Sequence, residues 1–274
     1  MKKTVLLAVM TLSLFSCKKD DNNETTYSNA FPKTILKDEV SNIGMVKTTE
    51  SYTLDSGNKI TSFTKKIVDN GTPTLDKSYT IDYNGNAIKS IVIRDISQDK
   101  NYTYNFIYSN GMVQSISSND NNLKINYDYV EGKVSTKTVV NGNDKRTFSY
   151  TYGANKIEMV SRQTGVSQND RFTYTLNADG TIASFKKITY IGNVPDTTTE
   201  GTCSYQYDNK PNIFQRDVFK YLAEIEIATN NNYYGDYYRD PLLRTVAHNV
   251  VAYTNNLYNN TQANYQDLEN ATRS

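Results

Sequence analysis

Apolar and polar residues alternate one by one over many short segments of this chain. Between Thr147 and Tyr152, for example, every second residue is aromatic and the residues between them are Thr or Ser. Strict alternation is typical of a β-strand that is buried on one face and exposed to water on the other. The pattern therefore predicts a mainly β chain.

The alternating segments belong to an internal repeat. Each copy has an aromatic-rich strand, a turn rich in Gly and Asn, and then Ile or Val, often followed by Ser and a further apolar residue. Asn and Gly supply the positive φ that tight hairpin turns need. The copies begin at Tyr52, Tyr79, Tyr104, Ile125, Phe148, Phe172 and Cys203. Self-similarity of this kind indicates a repeat architecture of strand-turn-strand units.

The spacing of the copies sets the expected topology. Short connections favour antiparallel neighbours, so residues 31–211 are expected to form an antiparallel meander of about fourteen strands. We expect a curled sheet or barrel-like shell, because open sheets rarely exceed ~10 strands without curling. The tyrosines lie along the strands and not only at their ends, which favours an inward-facing aromatic surface over a lipid-facing one.

The pattern changes after Pro211. Phe214, Val218 and Leu222 recur at every fourth position, with Tyr221 and Ile225 beside them. This spacing predicts a helical segment over residues 212–228, placed to plug the open end of the curled sheet. Residues 240–274 fit either another helix or final strands. Residues 212–274 are therefore expected to form a helical or irregular cap.

The start of the chain is typical of an exported lipoprotein. Lys2 and Lys3 precede an apolar stretch, residues 4–15, which is shorter than the ~20 residues that span a bilayer. Residues 1–16 are thus predicted to be a signal peptide. Leu14 to Cys17 resembles the lipobox of bacterial lipoproteins, which implies cleavage before Cys17 and its acylation. Two or three acyl chains would hold the protein at a membrane. An ordinary secreted protein is the alternative.

The residues after Cys17 refine this expectation. Lys19, Asp20 and Asp21 resemble the export signal of Bacteroidetes lipoproteins, a lysine followed by two acidic residues. The resemblance implies an outer-membrane lipoprotein exposed at the cell surface. A plain charged linker is the alternative, and the protein would then face the periplasm. The polar residues 17–30 are expected to form a flexible tether with a reach of about 20 Å.

Two family resemblances rest on these features. The repeat resembles degenerate YD repeats of the Rhs type, which build shells of β-sheet. Together with the lipoprotein start, the chain also resembles a Bacteroidetes lipoprotein family, described as a domain of unknown function with a porin-like fold. This resemblance covers roughly residues 52–214, and neither family implies catalytic residues.

Composition excludes several classes of function. There are 30 Lys and Arg against 29 Asp and Glu, so no basic excess points to a nucleic-acid partner. With Cys17 assigned to lipid, Cys203 has no intramolecular partner, which excludes a disulfide framework and a cysteine-based metal site. Cys203 stands where other copies have Phe148 and Phe172, so we expect it in the core. No cofactor is expected.

Catalytic motifs are not found. His248 is the only histidine, and neither G-x-S-x-G nor H-E-x-x-H occurs. Residues 177–180 resemble the start of a calcium loop but lack its downstream glutamate, so a hairpin turn is the preferred interpretation. Paired carboxylates for glycoside hydrolysis stay open, because their separation depends on the fold. No catalytic or metal-binding residue is therefore predicted.

These features favour a cell-surface binding or interaction module. Its expected partners are the membrane, through the N-terminal lipid, and a glycan, peptide or lipidic ligand. Tyr233, Tyr234, Tyr237 and Tyr238 form the predicted ligand-contact cluster. The alternatives are a surface hydrolase acting on glycans and a purely structural envelope protein.

Overall fold

The alternating segments form β-strands in a computed structural model that describes residues 31–41, 44–211, 216–230 and 248–256. Contacts between residues divide the described chain into two units, with the boundary between Thr103 and Tyr104. In both units the strands are antiparallel and follow one another in chain order. The predicted meander is therefore confirmed.

The first unit contains five complete strands. Each strand pairs with the one before it. The strands are β1 (Thr34–Ser41), β2 (Gly44–Leu54), β3 (Ile60–Asp69), β4 (Thr72–Asn84) and β5 (Ala87–Asp95). On the buried face, the rings of Tyr52 and Phe63 stack at 5.2 Å between centroids and those of Phe63 and Tyr79 at 4.1 Å. The alternating aromatic residues thus form a continuous stack.

The second unit holds the remaining strands and a helix. The strands are β6 (Lys100–Ser109), which begins before the boundary, β7 (Met112–Ser118), β8 (Leu123–Val130), β9 (Lys133–Asn141), β10 (Asp144–Tyr152), β11 (Lys156–Gln163), β12 (Gln168–Leu176), β13 (Ile182–Ile191), β14 (Val194–Pro211) and β15 (His248–Asn256). Helix α1 (Asp217–Asn230) lies between β14 and β15 in the chain. The described strands of neither unit pair last to first, so each sheet is open.

A one-residue β-bulge recurs at the end of the incoming strand in most copies of the repeat. Tyr83 pairs with Ile88, and Lys89 is the extra residue. The bulge lets Ile88 and Ile91, three positions apart, both point to the buried face. It explains why the repeat departs from strict alternation after each turn. The shifts in register directly precede Leu54, Tyr83, Tyr108, Tyr129, Leu176 and Tyr207.

The hairpin turns use the predicted residue types, with one unexpected member. Asn110 and Gly111 have φ of 51° and 76°, as a two-residue turn with positive φ at both positions requires. Glu131 takes the place of asparagine before Gly132, also with φ of 51°. In both turns the second position is glycine with φ of 76°, a backbone conformation that would strain a residue with a side chain.

Helix α1 confirms the predicted C-terminal helical segment. Val218, Tyr221, Leu222 and Ile225 are all buried. The five consecutive residues 221–225 are all buried. Because one helical turn takes 3.6 residues, they cover every side of the helix, so neighbours enclose this part of α1 all round. This agrees with a helix that fills the interior of its unit.

The structure also decides one alternative left open at the C-terminal end. His248–Asn256 is strand β15 and pairs with β14. The division of the chain at residue 211 into a hairpin domain and a cap stays a prediction. Within the described residues, no helix has the length and apolarity needed to cross a membrane.

Candidate functional site: a tyrosine row in the second unit

One residue at or near the end of each incoming strand occupies an equivalent place in the repeat. The position is tyrosine in most copies and leucine in two of them. In chain order these residues are Leu54, Tyr83, Tyr108, Tyr129, Tyr152, Leu176 and Tyr207. All except Tyr152 directly follow a shift in register whose extra residue lies on the partner strand.

The hydroxyl groups of these tyrosines connect one copy of the repeat to the copy before it. Tyr129 donates a hydrogen bond to the carbonyl of Val113 at 2.8 Å, and Tyr152 donates to Val134 at 2.9 Å. Val113 is itself paired with Tyr108, and Val134 with Tyr129. Each tyrosine is therefore fixed against the strand that follows the previous tyrosine.

The equivalent hydrogen bond occurs in the second copy and in the last copy of the repeat. Tyr83 donates to Ile60 at 2.9 Å in the first unit, and Tyr207 donates to Ile182 at 2.7 Å in the second. Leucine at position 176 has no hydroxyl group, so the corresponding bond to the preceding copy cannot form there. The tyrosine that ends the aromatic-x-Tyr pattern therefore has a structural role, because its hydroxyl bonds to the preceding copy. The alternation of apolar and polar residues alone does not reveal this role.

Tyr108, Tyr129 and Tyr152 form a row across the second unit, called the tyrosine row below. They stand on β6, β8 and β10, which are every second strand of one sheet. Neighbouring strands are ~4.8 Å apart, so successive tyrosines of the row are about 10 Å apart. The row therefore has a regular period set by the sheet itself.

All three side chains are partly exposed, as is Tyr150, whereas Phe106 and Tyr127, two positions before Tyr108 and Tyr129, are buried. Partial burial raises the pKa of the Tyr152 hydroxyl. Burial also raises the pKa of Tyr129, and the nearby carboxylates of Asp217 and Glu224 raise it further. These hydroxyl groups consequently stay protonated and keep donating their hydrogen bonds.

Charged side chains of both signs surround the tyrosine row. Lys133 places its ammonium 5.3 Å from the centre of the Tyr152 ring. Exposed Glu131 lies in the preceding turn, and exposed Asp217 begins helix α1. The row therefore joins apolar ring surface to flanking groups that donate and accept hydrogen bonds, the combination by which proteins orient small ligands.

A buried ion pair fixes helix α1 beneath this region. The ammonium of Lys137 lies 2.7 Å from a carboxylate oxygen of Glu224, and the two side chains are only 9% and 10% exposed. The same ammonium is 4.5 Å from the centre of the Phe148 ring. Asn141 donates to the carbonyls of Ala228 and Thr229 at the other end of the helix.

Lys137 is unusual because other copies have an apolar residue at its position. Lys137 stands three residues after Val134, which is the first apolar residue after the turn. At the same place other copies carry Phe63, Ile91, Ile116 and Phe185. A buried lysine needs a partner, since burial of an unpaired charge is costly. The structure supplies Glu224, so this substitution within the repeat specifies where α1 docks.

A second buried polar cluster lies on β12 and β13. Lys187 is 3.6 Å from Asp170, both side chains are 6% exposed, and Thr189 donates to Asp170 at 2.5 Å. The two buried carboxylates described in the second unit, Asp170 and Glu224, are thus held by lysines. Their described contacts are those of structural ion pairs rather than of a free acid and base.

Most of the predicted site residues lie outside the described residues. These are the lipidation residue Cys17, the export-signal residues Lys19, Asp20 and Asp21, and the tyrosine cluster Tyr233, Tyr234, Tyr237 and Tyr238. Their roles stay predictions. The tyrosine row was not among the predicted site residues, although alignment of the copies on their turns shows tyrosine recurring at the same strand end.

The remaining candidates have structural surroundings. Cys203 is 2% exposed in the core, as expected, and burial raises the pKa of its thiol. In the turn at residues 177–180, Asp179 accepts hydrogen bonds from the backbone N–H and hydroxyl of Thr181, as the hairpin interpretation predicts. Within the described ranges, no three His, Cys, Asp or Glu side chains are grouped to hold a metal ion.

Comparison with known proteins gives distant structural likeness. No protein-family model and no curated protein matches the chain. A porin-like protein from Bacteroides uniformis is similar with a TM-score of 0.45 and 15% identity, over 65% of this chain and 85% of that one. A porin-like protein from Bacteroides vulgatus has a TM-score of 0.37 and 14% identity, over 88% and 87%. The resemblances to lipoprotein and YD-repeat families stay predictions.

Proposed function

We propose that this chain is a lipid-anchored envelope protein that binds its ligand on the tyrosine row. The observation that supports binding is the row itself. It consists of three partly exposed tyrosines at regular spacing, two of them fixed by hydrogen bonds to the preceding copy. Side chains that are already ordered lose little conformational freedom when a ligand arrives, which favours affinity.

The proposed location rests on the sequence of the N-terminal segment. A cysteine that follows a signal peptide with a lipobox is acylated in bacterial lipoproteins, and the Lys19-Asp20-Asp21 sequence resembles a surface-export signal. The two features together support exposure on the cell surface. Protease treatment of intact cells would then remove the protein, whereas replacing Lys19, Asp20 and Asp21 by alanine would protect it.

Two other functions carry less support. A glycan hydrolase needs two carboxyl groups that flank the bond to be cut. The buried carboxylates described in the second unit are each paired with lysine, which does not favour that chemistry there. A purely structural role accounts for the hydrogen bonds and the spacing of the tyrosine row, but it gives no use to the partly exposed ring surface.

A binding screen tests the proposal. The purified full chain is presented with glycans, peptides and lipid vesicles, and the same screen is run with Tyr108, Tyr129 and Tyr152 replaced by alanine. Tyr190→Ala is the matched control, because Tyr190 is a partly exposed tyrosine of the same unit whose ring contacts Arg171 instead. We expect binding to be lost only in the row variant. Equal binding by all three proteins would contradict the proposal.

A further inference from the structure

The period of the tyrosine row indicates what kind of ligand it fits. Its rings recur on every second strand, about every 10 Å. A ligand that contacts all of them equally must have the same period along its own length. A peptide strand repeats at about 7 Å for every second residue and would fall out of step with the row.

Extended β-linked polysaccharides have a repeat of the required length. In a β-1,4-linked glucan, successive sugars are turned over, so the same ring face returns at every second sugar, after a distance close to two strand spacings. Sugar rings carry C–H groups on their faces, and these pack against aromatic rings, while the hydroxyl groups at their edges form hydrogen bonds. The partly exposed row with its polar neighbours offers both kinds of contact.

The charges around the row favour an uncharged ligand. Lys133 lies over the Tyr152 ring, exposed Glu131 stands in the turn just before it, and Asp217 is close enough to Tyr129 to raise its pKa. Neither sign dominates, so no strong field selects an acidic or a basic polymer. The hydroxyl groups of Tyr129 and Tyr152 stay neutral as well, because burial raises their pKa.

We infer that the tyrosine row binds a linear, neutral, β-linked polysaccharide, one ring to every second sugar. This inference rests on the proposed function and specifies its ligand. The polysaccharide chain runs across the strands, from β6 towards β10. The polymer is held by repeated weak contacts, so affinity depends on how many rings it spans.

Chain length gives the first test. Purified full chain is titrated calorimetrically with β-1,4-linked gluco-oligosaccharides of increasing length. A trisaccharide spans two rings and a pentasaccharide spans three, so affinity should rise at each of these lengths and then level off. Each added ring should increase affinity by about two- to tenfold. Affinity that does not change with length, or that equally long α-1,4-linked chains match, would overturn the inference.

Leu176→Tyr gives the second test and does not depend on removing a core residue. Leu176 occupies the row position on β12, two strands beyond Tyr152, and its side chain is partly exposed. The new ring should extend the row to a fourth contact. We expect the heptasaccharide to bind about two- to tenfold more tightly than to the unmodified chain, with no change for the trisaccharide. If the variant keeps its Tm but binds the heptasaccharide no more tightly than the unmodified chain does, the regular spacing of the rings does not determine binding and the inference is wrong.

The outcomes also separate the inference from the proposed function. If the row binds peptides or vesicles but no glycan, the inference is wrong and the row remains a binding site. If no ligand class distinguishes the row variant from the Tyr190→Ala control, both fail.

Discussion

Individual tyrosines in this protein have distinct roles that depend on one atom, the hydroxyl oxygen. Tyr129 uses its hydroxyl to hold the preceding copy of the repeat, 2.8 Å from the Val113 carbonyl. Tyr127, two residues earlier on the same strand, is 5% exposed, and its hydroxyl has no hydrogen-bond partner among the described residues. The hydroxyl of Tyr129 therefore stabilises the fold through its hydrogen bond, whereas Tyr127 contributes mainly through its ring.

Replacing each of the two by phenylalanine should separate these contributions. Tyr129→Phe loses a hydrogen bond and leaves the Val113 carbonyl without this donor, which should lower the free energy of unfolding by about 1 kcal/mol. Tyr127→Phe should leave it unchanged or raise it, because a buried hydroxyl without a partner is removed. Urea unfolding at neutral pH measures both. A larger loss in Tyr127→Phe than in Tyr129→Phe would contradict the assignment.

Asp95 provides a test by pH at the same scale. Burial raises the pKa of this carboxyl, but hydrogen bonds from the Ser97 hydroxyl and the Gln98 N–H outweigh it, so the pKa lies below the ordinary value of 3.8. A lowered pKa means that the stabilisation is present above the unfolded-state value and is lost as pH falls through the folded-state value.

Asp95→Asn should therefore destabilise the protein most at neutral pH. The difference in urea midpoint between the variant and the unmodified chain should shrink as the pH is lowered below about 4. Asp82→Asn is a suitable comparison, because its carboxyl is exposed and pairs with Lys89 at the surface. A difference at Asp95 that is constant with pH would contradict the role of the ionised carboxylate.

At the scale of elements, the bulge and the lysine in the apolar position are the two features that shape the second unit. The bulge lets Val113 and Ile116, three positions apart on β7, both reach the buried face. Lys137 converts one apolar position into a charged anchor for α1, through its 2.7 Å contact with Glu224. A buried ion pair adds little net stability but penalises any arrangement that leaves one partner alone.

Breaking and replacing this pair should have opposite effects. Glu224→Ala leaves the Lys137 ammonium buried without its carboxylate and should cost about 3–5 kcal/mol of unfolding free energy. The double variant Lys137→Met with Glu224→Leu should recover most of that loss, because it restores an apolar contact. Thermal unfolding followed by circular dichroism measures both, with Lys156→Ala at an exposed pair as a control without effect. A double variant as unstable as Glu224→Ala would refute this account.

At the scale of the whole molecule, the repeat made most of the fold predictable. Alternation gave the strands, the Gly and Asn turns gave the meander, and the spacing of Val218 and Leu222 gave α1. Strand β15 could not be predicted, since its pairing with β14 spans a long stretch of sequence and has no local signal. The tyrosine row was missed because its period arises between strands, so it becomes visible only when the copies are aligned on their turns.

The predicted anchor belongs to this scale too. Cys17→Ser should move the protein from the membrane fraction to the aqueous fraction, because each buried methylene of an acyl chain contributes about 0.8 kcal/mol to membrane binding. Cys203→Ser is the matched control, since Cys203 lies in the core and should not affect the distribution. Cell fractionation followed by immunoblotting gives the result. Membrane retention of the Cys17 variant would exclude the lipid anchor.

The central claim is that ligand binds on the tyrosine row, and ring-labelled tyrosine NMR tests it most directly. Signals are assigned by single Tyr→Phe variants, and the full chain is titrated with a β-1,4-linked gluco-hexasaccharide. The account predicts that Tyr108, Tyr129 and Tyr152 shift together with one saturation curve, while Tyr190 and buried Tyr174 stay in place. Saturable shifts at other tyrosines with the row unchanged, or no shift at any tyrosine, would contradict it.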